Sequence, residues 1–274
     1  MKILKILAVV AAIAAITLSQ SYAQTNKNLW QELDTLKSDY IWVDLSFEVS
    51  PQTPHWHGFD PLLVTPKYTF ENTENWFESS LYTLPGQYGT HTDFPGHFAK
   101  GHKLASDYTD VRELAYKLVV IDKSKAVAKN PDYELSKQDV LDFEKQYGQI
   151  PESAFVVFRS DWSKRSAEQY ENKDKKGVSH YPGWSLEALE YLIKERNVAV
   201  IGHETPDTDS AVAGEKLGFV KERYVLQNDK LNVELLRNLD KLPPTGAIVF
   251  LTFPNIKDGT GFTSRVFAIT TKTK

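Results

Sequence analysis

The chain has 274 residues, with 32 Lys and Arg against 36 Asp and Glu, a formal net charge of -4 and no cysteine. The lack of cysteine excludes disulfides and thiolate ligands, so any metal must be held by nitrogen and oxygen. A weak negative charge without long like-charged runs excludes a nucleic-acid partner held by a basic surface, and the one dense charged stretch, NKDKKG near residue 172, reads as a solvated loop.

Residues 1–23 set Lys2 and Lys5 before an apolar run at 6–18 and end in Ser21, Tyr22 and Ala23. That is the order of a secretory signal, and the run is too short for a comfortable membrane span. Cleavage after Ala23 is expected, giving an exported, periplasmic or secreted protein with no membrane association afterwards. The remaining stretch, 24–274, is expected to be one enzyme-sized domain of about 250 residues.

WQELDTLKS near residue 30 is expected to form a surface helix. Short apolar, β-branched runs predict strands at YIWVDLSFEV near 40, KLVVID near 117, AFVVFRSD near 154, VAVIGHE near 198, AIVFLTF near 247 and RVFAITT near 265. Ser136 and Asp139 form a capping-box start for the helix SKQDVLDFEKQY, and Ser185 opens SLEALEYLIKER with Leu186, Leu189 and Ile193 on one face. DKLNVELLRNL near 229 is a third, short helical candidate. The proline-rich stretches 51–66 and 243–254 read as loops. Strands alternating with helices, without internal repeats, predict a single α/β domain.

The chemistry concentrates in GQYGTHTDFPGHFAKG at residues 86–101. Glycines and prolines there disfavour a helix or a regular strand. His91 and Asp93, two apart, can point to the same side of an extended backbone, while Gly89, Pro95 and Gly96 let the chain curl so that Gln87 and His97 approach. Imidazole with carboxylate suits a divalent first-row metal, with zinc, manganese or iron favoured over calcium. Such an ion polarises a carbonyl and generates hydroxide near neutral pH. The alternative is a pair of surface histidines beside a loop aspartate.

This stretch resembles the signature of the metal-dependent cyclase family, which includes bacterial kynurenine formamidase and isatin hydrolase and carries H-x-G-T-H-x-D-x-P-x-H. Gly89, Thr90, His91, Asp93, Pro95 and His97 match it at the same spacing, and Gln87 stands at the first histidine. Further matching segments are WVDLSFEVSPQTPHWHGF, FRSDWSKR, HYPGWSLEALEYL and VELLRNLDKLPPTGAIVFLTFP. The resemblance implies a swivelling β/β/α fold with mixed sheets and flanking helices, and a homodimer or larger homo-oligomer.

By resemblance, one ion is held by Gln87, His91 and Asp93, and in two-metal members Asp93 bridges to a second ion held by a later His and Glu twelve residues apart. Glu234 matches that Glu, and Glu222 stands at the His. Two family histidines are thus replaced by oxygen donors, which leaves one or two ions, Mn2+ or Zn2+, as the expected cofactor. His97 matches the catalytic histidine, a proton shuttle, although a third ligand would occupy a similar position. Trp56, in TPHWHGFD, matches an aromatic residue lining the substrate pocket. His203 and Glu204, in IGHETPDTDSA after a predicted strand, are candidates to reach that pocket. Arg159, Asp161 and Trp162 read as a strand end whose charges pair structurally, and His102 and His180 as surface residues.

The leading expectation is metal-dependent hydrolysis of an amide-type C–N bond in a small aromatic formamide or cyclic amide. The alternatives are a lactone hydrolase or cyclase of the same family and a non-catalytic periplasmic binding protein.

Overall fold

The structure is a computed structural model that describes residues 28–73 and 76–272; the predicted signal segment lies outside them. The chain divides into two compact units, one made of residues up to Ile41 with 271–274, the other of Trp42–Thr270. In the first, helix α1 (Leu29–Asp39) is capped by Asn28, whose side chain accepts from the Trp30 N–H, and it buries no side chain. It is the expected surface helix.

After strand β1 (Tyr40–Asp44), the second unit continues through β2 (Leu63–Tyr68), β3 (Ser79–Thr83), β4 (His91–Asp93), β5 (Ala115–Asp122), the single turn α2 (Ser124–Val127), β6 (Glu134–Leu135) and α3 (Lys137–Tyr147). It goes on through β7 (Phe155–Arg159), β8 (Gly183–Trp184), α4 (Leu186–Lys194), β9 (Val200–His203), α5 (Ala211–Leu217), α6 (Val220–Gln227), β10 (Leu231–Glu234), β11 (Ala247–Thr252), β12 (Gly261–Thr263) and β13 (Arg265–Thr271). Nine strands form one mixed sheet in the order β1-β13-β11-β5-β7-β9-β10-β4-β12. Its centre, β5-β7-β9-β10, is parallel, and β11 and β4 flank it antiparallel.

The parallel strands are apolar on both faces because both faces are covered. Val119, Ile121, Val156, Phe158 and Ile201 pack under α3 and α4, with Leu189, Leu192 and Trp184. The alternate residues Leu118, Val120, Phe155, Val157 and Val200 face a second core, where Val43 and Val266 from one end of the sheet meet Phe94, which follows β4 near the other. Strands from opposite ends can share one core only if the sheet curls.

All six predicted strands are present, as β1, β5, β7, β9, β11 and β13, and the overall class is mixed α/β as expected. Ser136 and Asp139 make the capping box of α3, and the Ser185 side chain accepts from the Ala188 N–H at the start of α4. Two expectations are corrected. The segment near 229 is strand β10, not a helix, because Leu231 and Val233 alternate with Asn232 and Glu234 and the apolar pair packs into the second core. The proline-rich stretch 51–66 runs into β2, which pairs only with β3 and tolerates Pro66 where the register shifts.

Candidate metal centre

The short strand β4 forms despite its glycine-rich surroundings because it is inserted between two partners. β10 sets Glu234 opposite His91 and Asn232 opposite Asp93, and β12 sets Thr263 opposite His91 and Gly261 opposite Asp93. Residues two apart share a face and directly opposed residues share it too, so His91, Asp93 and Glu234 converge. His91 Nε2 lies 3.3 Å from Asp93 Oδ2 and 3.5 Å from Glu234 Oε2.

The loop before β4 is anchored at each residue. Gly89 has φ +60, and a Cβ there would meet Thr53 Cγ2 at 2.9 Å. Thr90 Oγ1 donates to the Leu235 carbonyl at 2.6 Å and accepts from the Phe47 N–H at 2.9 Å. His91 Nδ1 donates to the Gly89 carbonyl at 2.8 Å, which fixes the ring with Nε2 toward the carboxylates. Gln87 crosses the edge of β12 at a residue without a side chain: a Cβ on Gly261 would meet Gln87 Nε2 at 2.5 Å.

The other wall comes from elements the sequence reading did not foresee. Asp209 Oδ2 accepts from the N–H groups of Lys221 and Glu222, fixing the first turn of α6 and bringing Glu222 inward. A single 3-10 turn, Pro95–His97, presents His97, whose Nε2 is 4.0 Å from Glu222 Oε1 and whose Nδ1 is 3.4 Å from Gln87 Nε2. Gln87, His91, Asp93, His97, Glu222, Glu234 and Trp56 all line one cavity of about 210 Å3. Phe59, Phe98, Pro206, Asp207 and Phe219 complete it.

The segment after β9 does reach the cavity, but through Asp207, after Pro206 turns the chain. His203 and Glu204 do not line it. His203 lies behind Glu234, its Nε2 3.4 Å from Glu234 Oε1. Glu204 accepts from the Ser160 N–H at 2.7 Å and from the Ser160 and Ser163 hydroxyls, away from the cavity. His55 and His57 are also occupied elsewhere: His55 stacks on Tyr88, and His57 Nδ1 lies 3.5 Å from Glu171. Arg159 pairs with Asp161 at 2.8 Å, as expected for a structural strand end.

The cavity concentrates negative charge that a cation or protons must compensate. Asp93, Asp207, Glu222 and Glu234 are all buried, and among the described residues no Lys or Arg lines the cavity. Burial, reinforced by the charges of Glu234 and Asp209, pushes the Asp207 carboxyl well above the ordinary range. Burial together with Glu234, Asp93 and Asp207 does the same to Glu222. Burial opposes the charging of His91, but Asp93 and Glu234 outweigh it and push its pKa up to about 9. Burial also opposes ionisation of Asp93, yet His91, His97 and the Gln87 amide hold it below the usual value.

Neither Asp93 oxygen accepts a hydrogen bond of acceptable geometry. Among the described residues three triads have ligand atoms within 4.8 Å of one another: His91, Asp93 and Glu234; Asp93, His97 and Glu222; and Asp207, Glu222 and Glu234. Asp93, which lacks a donor, and the buried carboxylates that share corners with it in this way fit one or two divalent ions.

The Cyclase family model matches residues 43–210. Isatin hydrolase of Roseibium aggregatum is 34% identical over 190 residues, covering 67% of this chain and 72% of that protein. Isatin hydrolase A from Labrenzia aggregata, solved with benzyl benzoate, superposes with a TM-score of 0.79 at 29% identity, over 90% of this chain and 100% of that one. An isatin hydrolase bound to the product analogue thioisatinate superposes with a TM-score of 0.81 at 28% identity, over 92% of this chain and 99% of that one. With a buried mixed-donor cluster on β4, β10 and α6 and the family model matched over 43–210, this protein belongs to the Cyclase family and is an enzyme of the metal-dependent hydrolase type.

Proposed function

We propose that the enzyme opens the C–N bond of a small, flat cyclic amide, with fused aromatic lactams such as isatin as the substrate class. The observation that carries this reading is that carboxylates and aromatic rings line one cavity: His91, Asp93, Glu222 and Glu234 share it with Trp56, Phe59, Phe98 and Phe219. Aromatic walls select a flat ring, and the charged side chains receive the group being hydrolysed. The likeness to isatin hydrolases supports the same class.

Gln87, His91, Asp93, Glu222 and Glu234 would hold the ion or ions, which when bound supply Lewis acidity toward the amide carbonyl and toward water. His97, on the accessible side of the cavity, takes a proton from the attacking water and returns it to the leaving nitrogen as the C–N bond breaks. Its Nδ1 stays beside the Gln87 amide, which holds the ring orientation. The half-buried aromatic walls limit the access of bulk water to the departing amine.

Manganese is the ion this donor set favours, because Gln87 and Glu222 stand where imidazole would suit zinc. The chelated protein should recover more isatin turnover with Mn2+ than with Zn2+, and Gln87→His should move the preference toward zinc. No turnover of aromatic lactams with either ion would reject the proposed function. Greater recovery with Zn2+, unchanged in Gln87→His, would reject only the role given to the oxygen donors.

Export, and assembly as a homodimer or larger homo-oligomer, belong to the same proposal. The support for export is the lysine-flanked apolar run at 6–18; among the described residues no helix is long and apolar enough to cross a membrane. Intact-mass analysis should find a secreted chain beginning near Gln24, whereas a full-length cytoplasmic product would reject export.

A further inference from the structure

Helices α5 and α6 meet at Gly218 and Phe219, and both residues have positive φ, 74° and 58°. Gly218 ends α5 in the left-handed conformation that glycine adopts without penalty. Phe219 gains no such exemption: a bulky side chain at positive φ is a genuine conformational outlier. It also occupies the N-cap of α6, where a short polar acceptor is preferred, and its side chain makes no capping bond. The capping task is done from outside the helix by Asp209, whose carboxylate accepts from the Lys221 and Glu222 N–H groups. Position 219 therefore violates two local preferences at once and supplies neither turn freedom nor a cap.

What it does supply is a ring. Phe219 is one of the cavity walls, edge-on to Trp56 with centroids 6.2 Å apart and planes at 74°. Trp56 meets Phe59 in the same edge-on manner, at 5.1 Å and 71°. Phe219 stands three residues before Glu222, so one helix start fixes both a wall ring and a cavity carboxylate. It is only partly buried and belongs to neither hydrophobic core. A residue held in an unfavourable backbone conformation without contributing to the core points to a functional constraint.

We propose that Phe219 is a specificity-determining residue whose strained backbone holds its ring against Trp56, so that the two form the slot that selects a fused planar ring in the carboxylate-lined cavity. The inference rests on the amide-hydrolysis reading, and its variants separate the two. The ring contacts the part of the substrate remote from the scissile bond, so its loss removes binding shared by ground and transition states and appears in KM.

The test compares Phe219→Leu, which removes the ring and keeps the strain, with Phe219→Gly, which removes both, in the manganese-loaded protein. KM for isatin should rise about tenfold in each, with kcat within about threefold of wild type, and the affinity of the ring-opened product should fall in parallel. Metal content should not change. Because glycine accepts positive φ, Phe219→Gly should melt about 2–4 °C above Phe219→Leu. KM within twofold of wild type in both variants would overturn the inference while leaving the hydrolase reading intact. So would a Phe219→Gly protein that melts below Phe219→Leu or fails to fold, since the ring would then be packing. Absence of any wild-type lactam turnover would overturn the hydrolase reading and this inference with it.

Discussion

His91 and His97 are six positions apart and chemically identical, yet their surroundings differ, and the proposed function gives them different tasks. The His91 side chain is 4% exposed, tied to the Gly89 carbonyl through Nδ1 and within 3.5 Å of two carboxylates. The His97 side chain is 31% exposed on a 3-10 turn, its nearest carboxylate oxygen 4.0 Å away. A ligand has to be held, while a proton shuttle needs room to turn and access to water. His91→Ala should therefore abolish metal retention, because the triad with Asp93 and Glu234 loses its only nitrogen. His97→Ala should retain most metal and lose about a hundredfold or more in rate, the usual size of a general acid/base effect. Metal analysis beside single-turnover rates distinguishes the two; if His97→Ala lost metal as fully as His91→Ala, His97 would be a ligand of the Asp93 and Glu222 triad.

Among the elements, legibility followed locality. Strands buried on both faces announce themselves as apolar runs, and α3 and α4 announce themselves by Ser136 and Ser185, because those signals lie within one element. β10 was misread because its polar residues face the candidate site instead of solvent: Asn232 and Glu234 are buried there, so the alternation of an interior strand was masked by an adjoining run of leucines at 235, 236 and 239. α5 carries Gly214 and ends at Gly218, α6 has a polar pattern, and nothing in their own sequence marks a wall of the cavity. The pairing of His91 with Glu234 joins residues far apart in the chain, so only the family resemblance could suggest it beforehand. The same distance explains His203 and Glu204: the right segment was singled out, but which side chain reaches the cavity depends on the turn at Pro206.

For the molecule as a whole, the site is a concentration of negative charge that the fold can carry only with compensation, and this makes stability depend on pH and metal together. In the metal-free protein, Asp207 and Glu222 titrate well above their unfolded values, so folding favours their protonated forms. That contribution is complete below about pH 4.5 and is lost as the pH rises through their folded values. His91, pushed up to about 9, acts in the same direction: its contribution is present below about pH 6.5 and is lost as the pH rises toward 9. The carboxylates held low elsewhere, among them Asp139, Glu144 and Asp161, lose their contributions only on acidification below that window. The chelated protein should consequently melt at lower temperature at about pH 8.5 than at about pH 5.5. A bound divalent ion takes over the role of the protons, so the increment in melting temperature on adding Mn2+ should grow across the same range, with proton release on binding. Calorimetric melting at the two pH values, with chelator and with Mn2+, measures both effects. A chelated protein that became more stable toward pH 8.5 would mean that these carboxylates are not the groups that limit the metal-free fold.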